Sequence, residues 1–114
     1  YYEQLLPLKE QGRIELPVVP EDCEHNAHMF YIKAGDLKER TELIGYLKNA
    51  DIQTVFHYVP LHSAQAGQRL GRFYGEDRYT TRESERLLRL PMYYGLKEEH
   101  AAYVVERIKE FYKG

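Results

Sequence analysis

The chain has 114 residues, 43% hydrophobic and 30% charged, with a formal net charge of −2 at pH 7. That length is one domain with room for a core of its own. The charge balance supplies no basic field for nucleic acid or for an anionic membrane surface. Its one cysteine, Cys23, rules out an intramolecular disulfide and suits a reducing compartment, so a cytoplasmic location is expected. No apolar run approaches membrane-spanning length and no signal-peptide pattern opens the chain. There are 11 Tyr against 4 Phe and no Trp. Tyr joins apolar area to a hydroxyl that needs a partner, so this set suits a face presented to something else, or equally a tyrosine-rich core rim.

In chain order, residues 1–6 read as amphipathic helix with neither an initiator Met nor an N-cap residue ahead of them. A helix entered without a start signal is expected of a domain cut from a longer protein. Gly12 suits the left-handed position just past this helix. Residues 14–23 hold Pro17 and Pro20 and read as extended linker. Residues 28–33 read as a strand with apolar residues on both faces, which predicts cover on both sides or a central place in its sheet. Asp36 with Glu39 forms a capping-box pattern, and Leu37, Leu43, Ile44 and Leu47 follow at helical spacing to an end near Asn49 and Ala50. A second strand starts at Ile52, where Ile52, Thr54 and Phe56 alternate with Gln53 and Val55. Residues 63–79 are interrupted by Gly67, Gly71 and Gly75 and read as a short helix followed by an irregular loop. Thr80 with Glu83 repeats the capping-box pattern, and Leu87 and Leu88 read as the buried stripe of that helix. Leu90 precedes Pro91 and must be extended, so a short strand at residues 88–90 or a turn satisfies it. Ala101, Val104, Val105, Ile108, Phe111 and Tyr112 then mark one apolar face of a closing helix whose start near Lys97 lacks a capping side chain. Residues 28–56 together read as a compact strand–helix–strand unit.

The second strand ends in the chemistry-bearing stretch. His57 and Tyr58 are adjacent where Pro60 stops further pairing, and His62 follows within a turn. Period-2 geometry starts the first two on opposite faces, so both reach one site only if the chain bends here. Other constellations are weaker. Cys23, His25 and His28 lack the paired, tightly spaced knuckles of a zinc site, and the remaining His57 and His62 straddle a proline, so no metal is expected. Ser63 and Ser84 have no glycine elbow, and Cys23 has no activating context. Arg69, Arg72 and Arg78 suit a diphosphate chemically, or a solvated loop.

Three segments in order carry a resemblance: His25-x-x-His28-Met29-Phe30-Tyr31-Ile32, then His57-Tyr58-Val59-Pro60-Leu61-His62, then Ser84 with Leu87-Leu88-Arg89-Leu90-Pro91-Met92-Tyr93. Together they resemble the C-terminal portion of the DegT-like sugar aminotransferases, over essentially the whole chain. The resemblance implies an α+β fold, a small mainly antiparallel sheet with helices packed on it, like the C-terminal domain of the aspartate-aminotransferase fold, with residues 1–24 as interdomain helix end and linker and residues 25–114 as the domain body. It implies pyridoxal phosphate in the parent enzyme, a homodimer, and amino transfer from glutamate to a dTDP-4-keto-6-deoxyhexose for cell-surface polysaccharide. Neither nucleic acid nor membrane enters that picture. The Schiff-base lysine and most phosphate ligands belong to the family's N-terminal domain, so this chain alone is expected to be inactive and to hold no cofactor. His57, Tyr58 and His62 are placed as substrate-binding residues, Tyr58 nearest the reacting centre. Lys33 stands where many relatives have Arg, and Lys97 where a capping Ser or Thr is usual. A free-standing α+β binding or regulatory module is the alternative.

Overall fold

The computed structural model describes residues 1–114. Five helices and three strands follow the order α1 (Tyr2–Glu10), β1 (Phe30–Lys33), α2 (Leu37–Asn49), β2 (Val55–Phe56), α3 (Gln65–Leu70), α4 (Thr80–Arg86), β3 (Leu87–Leu90) and α5 (Glu98–Lys113). The sheet is antiparallel throughout, in the order β1-β3-β2. The fold is α+β, as the resemblance implies.

The centre of the sheet is β3 and β1 lies at one edge, so of the two expectations for the first strand, cover on both sides or a central place, the central place is excluded. The outer side of β1 is partly covered all the same, because Glu15 and Lys33 exchange backbone hydrogen bonds of 3.0 Å in each direction. Residues 14–23 are therefore not all free linker, since Ile14 and Leu16 are buried on either side of that bridge. Leu87 and Leu88 also part from expectation. They leave the helix and pair as strand, Leu88 facing Ile32 on one side and Phe56 on the other. Two ladders of backbone hydrogen bonds outweigh one more helical turn here.

One core holds the elements together. Ile32, Leu88 and Leu90 from the sheet meet Leu43 and Leu47 of α2, Val104, Val105 and Ile108 of α5, and Leu5 and Leu8 of α1. The closing helix buries the stripe its periodicity marks. The C-terminal ends of α1 and α2 are sealed alike. At α1, Gly12 is left-handed at φ +69° while its own N–H and that of Arg13 reach back to Lys9 and Leu8. At α2, Asp51 takes the same place at φ +59°, with Asp51 N–H to Lys48 and Ile52 N–H to Leu47. This Schellman geometry turns the chain sharply and carries Ile52 into the core next to Leu47, which fixes the approach of β2.

Of the two capping boxes, the first is formed with a shifted partner. Asp36 Oδ1 accepts from Glu39 N–H at 2.8 Å, and Glu39 reaches back to the N–H of Gly35. The second is not formed. Thr80 makes no cap bond, and Glu83 turns to Lys33 at 2.6 Å and to Arg86 at 3.4 Å. Lys97 likewise offers no side chain to the start of α5. No helix is long and apolar enough to cross a membrane.

Candidate functional site

Ile52 and Thr54 are buried and Gln53 and Val55 exposed, as the alternation predicts, but Phe56, expected inward with them, is 47% exposed, and only Val55 and Phe56 pair with β3. Phe56 is fixed by Arg40, whose guanidinium lies 5.1 Å from its ring centroid and donates to the Ser84 carbonyl at 3.1 Å. Beyond Phe56 the chain bends. Tyr58 is left-handed at φ +62°, a conformation that costs a residue with a Cβ about 1–2 kcal/mol. The strain achieves what strand geometry forbids, bringing the His57 and Tyr58 rings together with centroids 4.6 Å apart. His57 Nδ1 is shut off from solvent and has no hydrogen-bond partner, while Tyr58 is 72% exposed. A left-handed backbone under an exposed phenol is the kind of strain that clusters at functional sites, and it marks Tyr58 as the open side of the candidate site.

His62 is held differently. Its Nε2 lies 2.9 Å from Asp77 Oδ2 and 3.3 Å from Thr81 Oγ1, and its ring packs on Phe73 at 4.5 Å between centroids. Asp77 is in turn bound by Thr81, whose hydroxyl donates to Oδ2 at 2.5 Å and whose N–H donates to Oδ1 at 3.3 Å. The Thr81 hydroxyl, then its N–H and the His62 imidazole, hold the Asp77 carboxyl below its usual range against the opposing effect of burial. Sequence reasoning missed Asp77 because its partner is 15 positions back, across α3 and a glycine-broken loop. The available signal was an Asp four residues before Thr81, able to cap α4 in place of Thr80.

Several of the remaining candidates have partners within the fold. Ser63 donates its hydroxyl to the Pro60 carbonyl and Ser84 to that of Thr81, so neither faces a base. His25 Nδ1 accepts from Ala27 N–H at 2.9 Å, Cys23 is exposed, and no group of three metal-ligating side chains converges. Arg78 is paired with Glu76 at 2.9 Å, Arg69 is exposed on α3, and Arg72 lines a cavity of about 400 Å³ next to His62 and Phe73. A larger cavity of about 790 Å³ opens at the β2 edge between Val55, Arg89, Met92, Tyr93, His100 and Tyr103. Apolar residues run on along the rim, with Val55, Phe56, Tyr58, Val59, Leu61, Phe73 and Tyr74 all exposed and Leu61 the most open of the first five at 85%.

A pyridoxal phosphate site needs an amine that can become free base. Lys33, the lysine built into the fold, goes the other way. The Glu83 carboxylate, and Glu15 beyond it, hold it as ammonium, with its pKa above the usual lysine value. Lys9, Lys38, Lys48, Lys97 and Lys113 are exposed on or beside helices, and Lys109 is half-buried on α5. These residues do not by themselves fit the cofactor.

Similarity to known proteins agrees with this geometry. Residues 1–109 match the DegT/DnrJ/EryC1/StrS aminotransferase family. A pleiotropic regulatory protein of Geobacillus stearothermophilus is 35% identical over 93% of this chain and 29% of its own length. The dTDP-3-amino-3,4,6-trideoxy-alpha-D-glucose transaminase of Micromonospora megalomicea subsp. nigra is 30% identical over 100% of this chain and 30% of its own. Among solved structures, NtdA from Bacillus subtilis with bound cofactor PMP superposes with a TM-score of 0.81 at 28% identity, covering 100% of this chain and 26% of that one. The chain thus spans under a third of the length of the curated relatives it matches. With almost every residue matched in sequence and the whole architecture matched in space, the chain belongs to the DegT/DnrJ/EryC1/StrS aminotransferase family.

Proposed function

We propose that this chain is the C-terminal small domain of a pyridoxal-phosphate-dependent nucleotide-sugar aminotransferase, and that its task is to shape and close the sugar side of the active site. The enzyme would move the amino group of glutamate to a dTDP-4-keto-6-deoxyhexose, leaving 2-oxoglutarate and a dTDP-4-amino-4,6-dideoxyhexose. Such a product is a precursor for cell-surface polysaccharide of the enterobacterial common antigen type, made in the cytoplasm. An N-terminal domain of the same polypeptide would supply the lysine, and the enzyme would work as a homodimer. The Micromonospora relative, named for a dTDP-amino sugar, supports the substrate class.

The observation that carries this reading is the bend at His57 and Tyr58. Tyr58 offers a hydroxyl with no internal partner, and His57 keeps a buried nitrogen with none. Facing a hexose, the phenol exchanges a hydrogen bond with the sugar oxygen nearest the reacting carbon, and the His57 ring packs beside the phenol and backs it. The apolar rim from Val55 to Leu61 suits contact with another part of the enzyme and excludes water once covered. Pyridoxal phosphate, when bound in the enzyme, supplies the electron sink; this chain orients and encloses.

The test is an assay of the enzyme that carries this domain, with glutamate and a dTDP-4-keto-6-deoxyhexose as the pair. Amino-sugar nucleotide and 2-oxoglutarate should appear in equal amounts. No transfer to any 4-keto sugar nucleotide would overturn the substrate assignment. The 114-residue chain mixed with pyridoxal phosphate should give no stoichiometric visible band, because its packed lysine is held as ammonium. A regulatory binding module is the second reading, favoured by the name of the Geobacillus relative. Absence of aminotransfer from the whole enzyme would bring it forward.

A further inference from the structure

We infer that Asp77, acting through His62, is a positioning residue for Tyr58. This rests on the reading that places Tyr58 against the sugar. Tyr58 has no side-chain hydrogen bond of its own, so its pose is set by the backbone on either side. On the amino side stands the two-residue strand β2, clamped by Arg40. On the carboxyl side the chain closes a tight turn, in which the Pro60 carbonyl accepts from Ser63 N–H at 3.1 Å, Ala64 N–H at 3.0 Å and the Ser63 hydroxyl at 3.1 Å.

That turn leads into α3, and the two form one unit. Gly67 packs so closely that a Cβ there would fall 1.6 Å from the Leu61 carbonyl oxygen. Yet α3 buries no residue, and residues 71–79 are all exposed. The unit is a satellite of the domain, and its polar fastening to the body is the His62 imidazole on Asp77 and Thr81. At the other end of the link, Asp77 caps α4, and α4 runs without a break into β3. The central strand of the sheet is thereby tied to the turn that holds Tyr58. Each Asp77 oxygen already accepts from Thr81, and Oδ2 also meets His62, so this carboxylate holds the fold of the rim and does not face substrate.

The experiment measures the two halves of turnover separately in the whole enzyme, amino donor first and sugar second, for Tyr58→Phe, Asp77→Asn and the double variant. Asp77→Asn should slow the sugar half about tenfold. It should leave the donor half and the cofactor content unchanged, a split that general loss of structure would not give. Asp77→Glu should recover part of the rate. The double variant should be no slower than Tyr58→Phe alone, because both changes act on one group. If Asp77→Asn does not accumulate as folded enzyme, Thr81→Val removes only the hydroxyl partner and should slow the same half about threefold. Effects that multiply, or a donor half slowed equally, would overturn the positioning role while leaving Tyr58 in the site. A Tyr58→Phe enzyme with an unchanged sugar half would overturn the underlying reading and this inference with it.

Discussion

Leu88 and Tyr58 are both large apolar-bodied side chains in or just beyond the same sheet, and the fold treats them oppositely. At Leu88 the chain supplies every neighbour: Ile32 and Phe56 flank it in register, and no surface remains exposed. At Tyr58 the chain supplies almost none, and it holds the residue in a conformation that a Cβ disfavours. The first region is what burial and hydrogen bonding select for stability; the second is held in place at some cost to it. What distinguishes the two is where the missing contacts must come from. On the proposed reading, those at the rim come from the rest of the enzyme.

The comparison breaks first at the core. Leu88→Ala empties the centre of the sheet and should destabilise the domain by about 3 kcal/mol, read by urea or thermal unfolding. A loss below about 1 kcal/mol would mean that the sheet centre is looser than the geometry shows. A smaller effect is expected at the ion network on the β1 side. Arg86 is buried and joins Glu15, Glu83 and the Ala34 carbonyl, while Lys33 bridges the same two carboxylates. Arg86 holds Glu15, and Lys33 holds Glu83, below the usual 4.5 of a glutamate. Depressed folded-state values mean that this stabilisation is complete above about pH 4.5 and disappears as the pH falls through the lower, folded-state values. The melting temperature should therefore fall on acidification below pH 4.5, and Glu83→Gln should flatten that slope at a cost near neutrality of about 1 kcal/mol, given its partial exposure. An unchanged acid profile in Glu83→Gln would remove it from the network's energetics.

The smallest change is expected where the side chain is most visible. Tyr58→Gly relieves a left-handed Cβ and frees the unfolded chain in nearly equal measure, so stability should shift by no more than about 1 kcal/mol. A large loss would show that the phenol packs within the domain, and would merge the two regions that the structure separates.

Much of this was readable in the residues. The stripe of α5, Gly12 past α1 and Asp36 before α2 each carry a local signal that the packing leaves intact. Leu87 and Leu88 do not, because two leucines between a helix and a Leu-Pro step fit a helical stripe and a strand equally. Pairing with partners more than 30 residues away decides it. A shorter separation, the 15 positions between His62 and Asp77, hid the site's support. His57 and Tyr58 announce themselves at a strand end, and Pro60 hints at the bend. Nothing near His62 points to Asp77, and the capping-box pattern at Thr80 and Glu83 drew attention from the carboxylate that caps α4. Arg89, half-buried in the larger cavity, reads in sequence as one polar residue among leucines; only the register puts it beside Tyr31 and Val55 on the open face.

The central claim is that the residues past β2 face a ligand bound by the rest of the enzyme. Tyr58→Phe tests it most directly, as the turnover of the keto-sugar nucleotide by the whole enzyme with bound cofactor measured alongside. A fall in kcat of about tenfold or more at unchanged cofactor content is predicted. Turnover equal to that of the unaltered enzyme would take Tyr58 out of the site and contradict the account.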